Sequence, residues 1–225
     1  MIGKASRRRV SDRRGGVPRP TTAALGLAPH SGWAALVALG EADGSLHVLV
    51  RDRIEMADAR QAGSKQPYHA VEGLPIEEAE RRLAAFEAEA GRMAHEALEG
   101  IAGHLAQGGH RVVGLGILES AGRKGVSLVS TLASHALIHT ADGDHFRNAI
   151  AGAAVRLGQA VSRIRARELG AEAARATGLP HAALARSVAT WGREVGPPWG
   201  ADQKAAALLA WLVLAREAGD GRRTR

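Results

Sequence analysis

The stretch Ala23-Ala24-Leu25-Gly26-Leu27-Ala28-Pro29-His30-Ser31-Gly32-Trp33-Ala34-Ala35-Leu36-Val37-Ala38-Leu39 decides the fold. Two apolar runs, 23–28 and 33–39, flank the turn Pro29-His30-Ser31-Gly32, and a second turn over 41–45 leads into a third run, 46–50. Short apolar runs joined by glycine-containing turns predict a meander of three antiparallel strands. Downstream the period changes. After a polar connection without pattern over 57–73, Leu74-Pro75 opens a long helix. Its apolar residues step by three and four: Ala79, Leu83, Phe86, Ala90, Met93, Ala97, Ile101 and Leu105. Pro75 suits the first turn, Glu77, Glu78 and Glu80 suit the positive end of the helix dipole, and Gly108-Gly109 ends the helix.

The run 111–118 is apolar and carries two glycines, the profile of a strand buried on both faces. A glycine-rich basic loop over 120–126 follows. Helices are expected over 128–138 and 144–157, the second capped by Asp142 or Asp144, with a strand over 159–164 and helices over 167–177 and 180–194. Beyond the break at Gly196-Pro197-Pro198, Asp202 caps a last helix that runs to Ala218, apolar nearly all round and hence buried. The order β-β-β-α-β-α-β-α predicts an α/β fold. Three antiparallel strands and then alternating strands and helices make a mixed sheet, with helices on both faces and extra helices at the C-terminal end.

The 225 residues suit one domain, expected over 22–219, between an arginine-rich tail at 1–21 and a basic end at 220–225. With aromatics at only 3%, the core must be built from Ala, Leu and Val. The absence of cysteine excludes disulfides, thiolate zinc sites and cysteine nucleophiles. No apolar segment follows Arg7 to Arg14, and the longest apolar run, 205–215, is too short to span a bilayer. A soluble, cytoplasmic protein without membrane contact is expected. Of the net charge of +7, residues 1–20 supply +6 (seven cations against Asp12) and the last five residues supply +3, leaving −2 for the folded body. Arg7, Arg8, Arg9, Arg13 and Arg14 can neutralise phosphates without becoming ordered, so DNA or RNA is the expected partner of the tail.

The element order, together with Leu25-Gly26-Leu27-Ala28-Pro29-His30-Ser31-Gly32-Trp33-Ala34 and Gly200-Ala201-Asp202-Gln203-Lys204-Ala205-Ala206-Ala207-Leu208, resembles the ribonuclease-H-like superfamily in its RuvC-type resolvase branch. The first stretch is similar to that branch's first strand and its Asp-Pro-Gly turn, and the second to its last helix. The opening strand and turn would also suit the sugar-kinase and actin-like ATPases. The RuvC resemblance implies a carboxylate cluster holding two divalent metals that activate water and stabilise the leaving oxygen. Glu119 matches the carboxylate at the end of the fourth strand and Asp202 the one on the last helix, but the Asp of strand one is replaced by Ala28. A methyl group cannot ligate magnesium, so the resemblance implies a pseudo-nuclease that binds nucleic acid without standard two-metal cleavage. The bland alternatives are that Asp202 is a plain cap and Glu119 an exposed strand end.

A second constellation lies at 134–147. His135 and His139, four apart, share one helix face and could reach a single metal, with Asp142, Asp144 and His145 close behind. His135, His139 and Asp142 are the candidate metal ligands, and Glu119, Asp202 and Asp144 the candidate catalytic carboxylates. Magnesium, manganese or zinc would suit these donors, as would acid/base chemistry in a metal-dependent phosphodiester hydrolase. The competing reading makes the aspartates helix caps and the histidines packing residues. Arg123 and Lys124, in the loop over 120–126, could hold a phosphate or simply form a surface turn. Trp191, Trp199 and Trp211 could stack on bases but suit core packing better. A structural or regulatory module that pairs with another protein, or with a second copy of itself, is the third functional class.

Overall fold

Ala23, Leu25 and Leu27 turn one way from strand β1 (Thr21–His30) while Ala24, Gly26 and Ala28 turn the other, and both sets are buried. A strand covered on both faces needs helices on both faces, and the chain supplies them. The structure, a computed structural model, describes residues 20–42, 44–120 and 125–223. β1 turns tightly at Ser31-Gly32 into β2 (Trp33–Ala42), where Gly32 takes a φ of +83°, and β2 pairs antiparallel with β3 (Ser45–Glu55). The chain then continues through α1 (Pro67–Ala70), α2 (Ile76–Gln107), β4 (His110–Glu119), α3 (Leu128–Leu132), α4 (His135–Arg156) and β5 (Val161–Arg165). Three helices finish it: α5 (Ala166–Thr177), α6 (His181–Val195) and α7 (Ala201–Arg223).

The sheet order is β3-β2-β1-β4-β5, with β1, β4 and β5 parallel. This is the expected mixed α/β sheet: an antiparallel meander followed by strands alternating with helices. One face packs on α2 and α4 through Leu25, Leu27, Leu98, Leu115, Phe146 and Ile150. The other packs on α5, α6 and α7 through Ala24, Val37, Leu39, Ala206, Ala210 and Trp211. The carboxyl ends of β1, β4 and β5 therefore share one edge with the start of β2 and the end of β3. α7 lies against the sheet at backbone contact, because a Cβ on Gly26 would sit 1.8 Å from the Ala206 carbonyl oxygen.

Several expectations move. The connection over 57–73 is not without structure, since it holds the short helix α1. Asp142 and Asp144 cap nothing: α4 runs unbroken through both, because Ile138, Phe146 and Ile150 bury in the core and packing overrides the local cost of Gly143. The break falls instead at Ala133-Ser134. Asp202 lies inside the first turn of α7, whose first backbone bond goes from Lys204 N to the Gly200 carbonyl, and Gln203 Oε1 accepts from Gly200 N. α7 also continues past its expected end at Ala218, to Arg223. The buried face of α2 is Phe86, Ala90, Ala94, Leu98 and Leu105, leaving Met93, Ala97 and Ile101 half-buried beside it.

Trp191, Trp199 and Trp211 pack in or against the core. Trp191 and Trp211 meet edge to face at 5.1 Å, Trp191 Nε1 donates to the Leu46 carbonyl at 3.0 Å and Trp199 Nε1 to that of Val188 at 3.0 Å. No helix among the described residues is long and apolar enough to cross a membrane.

Candidate functional site

Because β1, β4 and β5 run parallel, their last residues collect at one edge of the sheet. Glu119 ends β4 there and is only 7% exposed, so the alternative of an exposed strand end is overturned. Pairing with β5 and cover from α4 enclose it. Cations accompany the carboxylate: Arg163 Nη1 lies 3.3 Å from Oε2 and Arg147 Nε 4.0 Å from Oε1. Both guanidiniums are themselves fixed. Arg163 Nη2 donates to Asn148 Oδ1 at 2.8 Å, and Arg147 Nε donates to the Leu118 carbonyl at 3.0 Å. Asp144 accepts from Ser120 Oγ at 2.9 Å and pairs with Arg147 at 3.4 Å. Asp202 is drawn off towards His30, at 3.0 Å. Each acidic group expected to face a metal therefore faces a basic group instead, and Ala28 offers only a methyl. Among the described residues no group of three donors close enough to share an ion includes Glu119, Asp202 or Asp144.

The same edge carries an aromatic and cationic surface that the sequence did not signal. His30 stacks on Trp33 with ring centroids 4.3 Å apart and planes 9° from parallel, and the Arg53 guanidinium lies 4.0 Å from the Trp33 ring. Their register across β1, β2 and β3 makes this contact, since His30 pairs with Trp33 while Arg53 pairs two residues further along β2 with Ala35. Arg165 and Arg167 lie at and just beyond the end of β5, half-exposed to exposed. Arg7, Arg8, Arg9, Arg13, Arg14, Arg123 and Lys124 lie outside the described residues.

α4 positions the second constellation. At 100° per residue, His135, His139 and Asp142 fall on one side of the helix. His135 and His139 are exposed and their Nε2 atoms are 3.0 Å apart. The third histidine, His69, comes from α1 and escaped the sequence reading, which found no pattern in 57–73. Its ring lies 4.5 Å from that of His139 and 5.4 Å from that of His135. Asp142 is the anchor: buried, it accepts from His69 Nδ1 at 2.5 Å and from the Tyr68 backbone N–H at 2.7 Å. One donor of the expected set, Asp142, therefore stands behind an imidazole rather than beside the other two.

Asp144 turns to the far side of α4, towards a cavity of about 450 Å³ bordered by Tyr68, Thr131, Asn148 and Arg163. His145 lines it too. Burial pushes the His145 imidazole below its ordinary value, the carboxylates of Glu87 and Asp142 oppose this only in part, and its Nε2 has no hydrogen-bond partner among the described residues. His145 is thus neutral in the fold while the unfolded chain takes up the proton first. Its contribution to stability is intact above about pH 6.5 and is lost progressively below that. In His145→Asn, which cannot titrate, the urea midpoint should fall less steeply with acid than in the parent, and equal slopes would refute the assignment.

Comparison with protein-family models returns no match, and comparison with curated proteins returns none. Among solved structures the chain is similar to Thermus thermophilus RuvC in complex with a Holliday junction substrate, at 14% identity and a TM-score of 0.46, over 87% of this chain and 96% of that one. A second Thermus thermophilus RuvC structure gives 13% identity and 0.46, over 88% and 97%. An Aquifex aeolicus member of the Ppx/GppA family gives 13% and 0.35, over 68% of this chain and 38% of that one. Likeness at these levels transfers no residue role, so the roles rest on this chain's own side chains.

Proposed function

We propose that this chain is a ribonuclease-H-like protein that binds nucleic acid through the strand-end edge of its sheet and its arginine-rich N-terminal segment, without two-metal phosphodiester cleavage at that edge. The observation that carries the reading is the state of Glu119: a buried carboxylate already neutralised by Arg163 and Arg147 has no free charge with which to hold magnesium. A divalent ion would have to displace fixed guanidiniums and do without a ligand at Ala28. Arg53, paired with Glu55, and Arg165 and Arg167, both paired with Glu168, are exposed enough to exchange those carboxylates for phosphate, and the exposed His30 ring stacked on Trp33 is the ring left for a base to lie on.

Fluorescence anisotropy with labelled single-stranded DNA, duplex and a four-way junction, between about 50 and 200 mM salt, tests the reading. Binding should weaken linearly on log–log axes, with a slope near −0.9 for each phosphate neutralised on duplex. Removing residues 1–20 should flatten that slope, and Arg53→Glu with Arg165→Glu should weaken binding further. All three substrates should stay intact with Mg²⁺ present. Absent or salt-insensitive binding would sink the proposal in favour of a protein-interaction module. Mg²⁺-dependent cleavage lost in Glu119→Gln would sink it in favour of an active nuclease.

A further inference from the structure

We infer that His69, His135 and His139 form a binding site for one divalent transition-metal ion, zinc before others, with Asp142 orienting His69 from behind. One ligand nitrogen from each of the three histidines lies within 4.8 Å of the others, and no other such group occurs among the described residues. With Nδ1 of His69 donating to the Asp142 carboxylate, the lone pair of Nε2 is left for a metal. A buried aspartate bonded to the far nitrogen of a ligating imidazole is the partner that holds such ligands in orientation and raises their basicity.

The contact between His135 and His139 is compatible with the site. Their Nε2 atoms, 3.0 Å apart, are at hydrogen-bond distance when one ring carries its proton on Nε2, and a metal ion would take that proton's place between them. Tetrahedral zinc with bonds of about 2.05 Å holds two nitrogens roughly 3.3 Å apart, so His135 and His139 need move only by tenths of an ångström, and His69, within 4.8 Å of both, would close on them. Three neutral imidazoles favour zinc, copper, nickel or cobalt over magnesium or calcium. His135 and His139 are exposed, so the fourth position opens to solvent and would take water. The ion would also tie the 56–75 connection to α4 across 66 positions of sequence, from His69 to His135. This site is independent of the strand-end edge and stands or falls separately from it.

The test uses the full chain without a histidine tag, stripped with chelator and titrated with Zn²⁺ by calorimetry. Visible absorption of the Co²⁺ form reports the coordination geometry. One equivalent should bind, raise the unfolding temperature and, as Co²⁺, give the intense bands of a tetrahedral site. His135→Ala and His139→Ala replace exposed residues and leave the fold intact, as their metal-free melting curves should show, yet each should abolish stoichiometric binding. Asp142→Asn should weaken binding 10- to 100-fold while keeping the stoichiometry, the range typical for loss of a partner behind a ligand. Substoichiometric binding, or one equivalent retained in His135→Ala/His139→Ala, overturns the site. Unchanged affinity in Asp142→Asn overturns the orienting role.

Discussion

Gly26→Ala should unfold the protein or cost it about 3 kcal/mol or more, at the upper end of what overpacking does. The added Cβ would lie 1.8 Å from the Ala206 carbonyl oxygen and 2.8 Å from the Ala210 amide nitrogen, both backbone atoms of α7. No rotamer change can relieve a clash with backbone. Either β1 leaves its register between β2 and β4, or α7 lifts off the sheet and uncovers Ala206, Leu209 and Ala210, all fully buried. Gly100→Ala provides the contrast. Gly100 lies within α2 with open space around its would-be Cβ, and alanine there should stabilise by about 0.5–1 kcal/mol. Urea denaturation of the two variants reads both effects. A Gly26→Ala protein with a midpoint near that of the parent would mean that α7 does not pack at backbone contact.

Arg163→Ala should cost about 1–3 kcal/mol, because a buried carboxylate loses one of the cations that offset its desolvation. Glu119 keeps 5% of its side chain in contact with solvent, and Arg147, already committed to the Leu118 carbonyl and Asp144, stays 4.0 Å away. Asn148 Oδ1 loses a donor as well. The companion change Glu119→Gln removes the charge, so Glu119→Gln with Arg163→Ala should be less damaging than the sum of the two single changes by more than about 1 kcal/mol. Denaturant titration of all four proteins closes the cycle. Simple additivity would mean that Arg163 packs there without neutralising Glu119, and the case against metal binding at the strand-end edge would weaken with it.

Elements were legible in the sequence where a local period sets burial. The unbroken apolar runs of β1 and β2 between glycine-containing turns and the steps of three and four in α2 follow from strand and helix geometry, so the apolar pattern alone located them. Local signals failed where packing outweighed them. Asp142, Gly143 and Asp144 carry every mark of a helix start, yet α4 passes through them because Ile138, Phe146 and Ile150 gain more in the core than the break would save. Of the two candidate constellations, the pairing of His135 with His139 was readable from helical spacing. His69 was not, because nothing in 57–73 distinguishes it until α1 docks on α4.

By itself, then, the sequence determined a mixed α/β sheet with helices on both faces, a methyl group at Ala28 and a positive charge concentrated at the termini. These depend on residue type, on the length of apolar runs and on the helical period of 3.6, which are written in the chain. Only the tertiary structure decided that Glu119 is enclosed by arginines, that Asp202 faces His30, that Trp33 lies between His30 and Arg53 along the sheet register, and that Asp142 stands behind His69. Each of these contacts joins residues from different elements. The order of strands across the sheet and the docking of helices on it bring such residues together, and no local period of the chain encodes that.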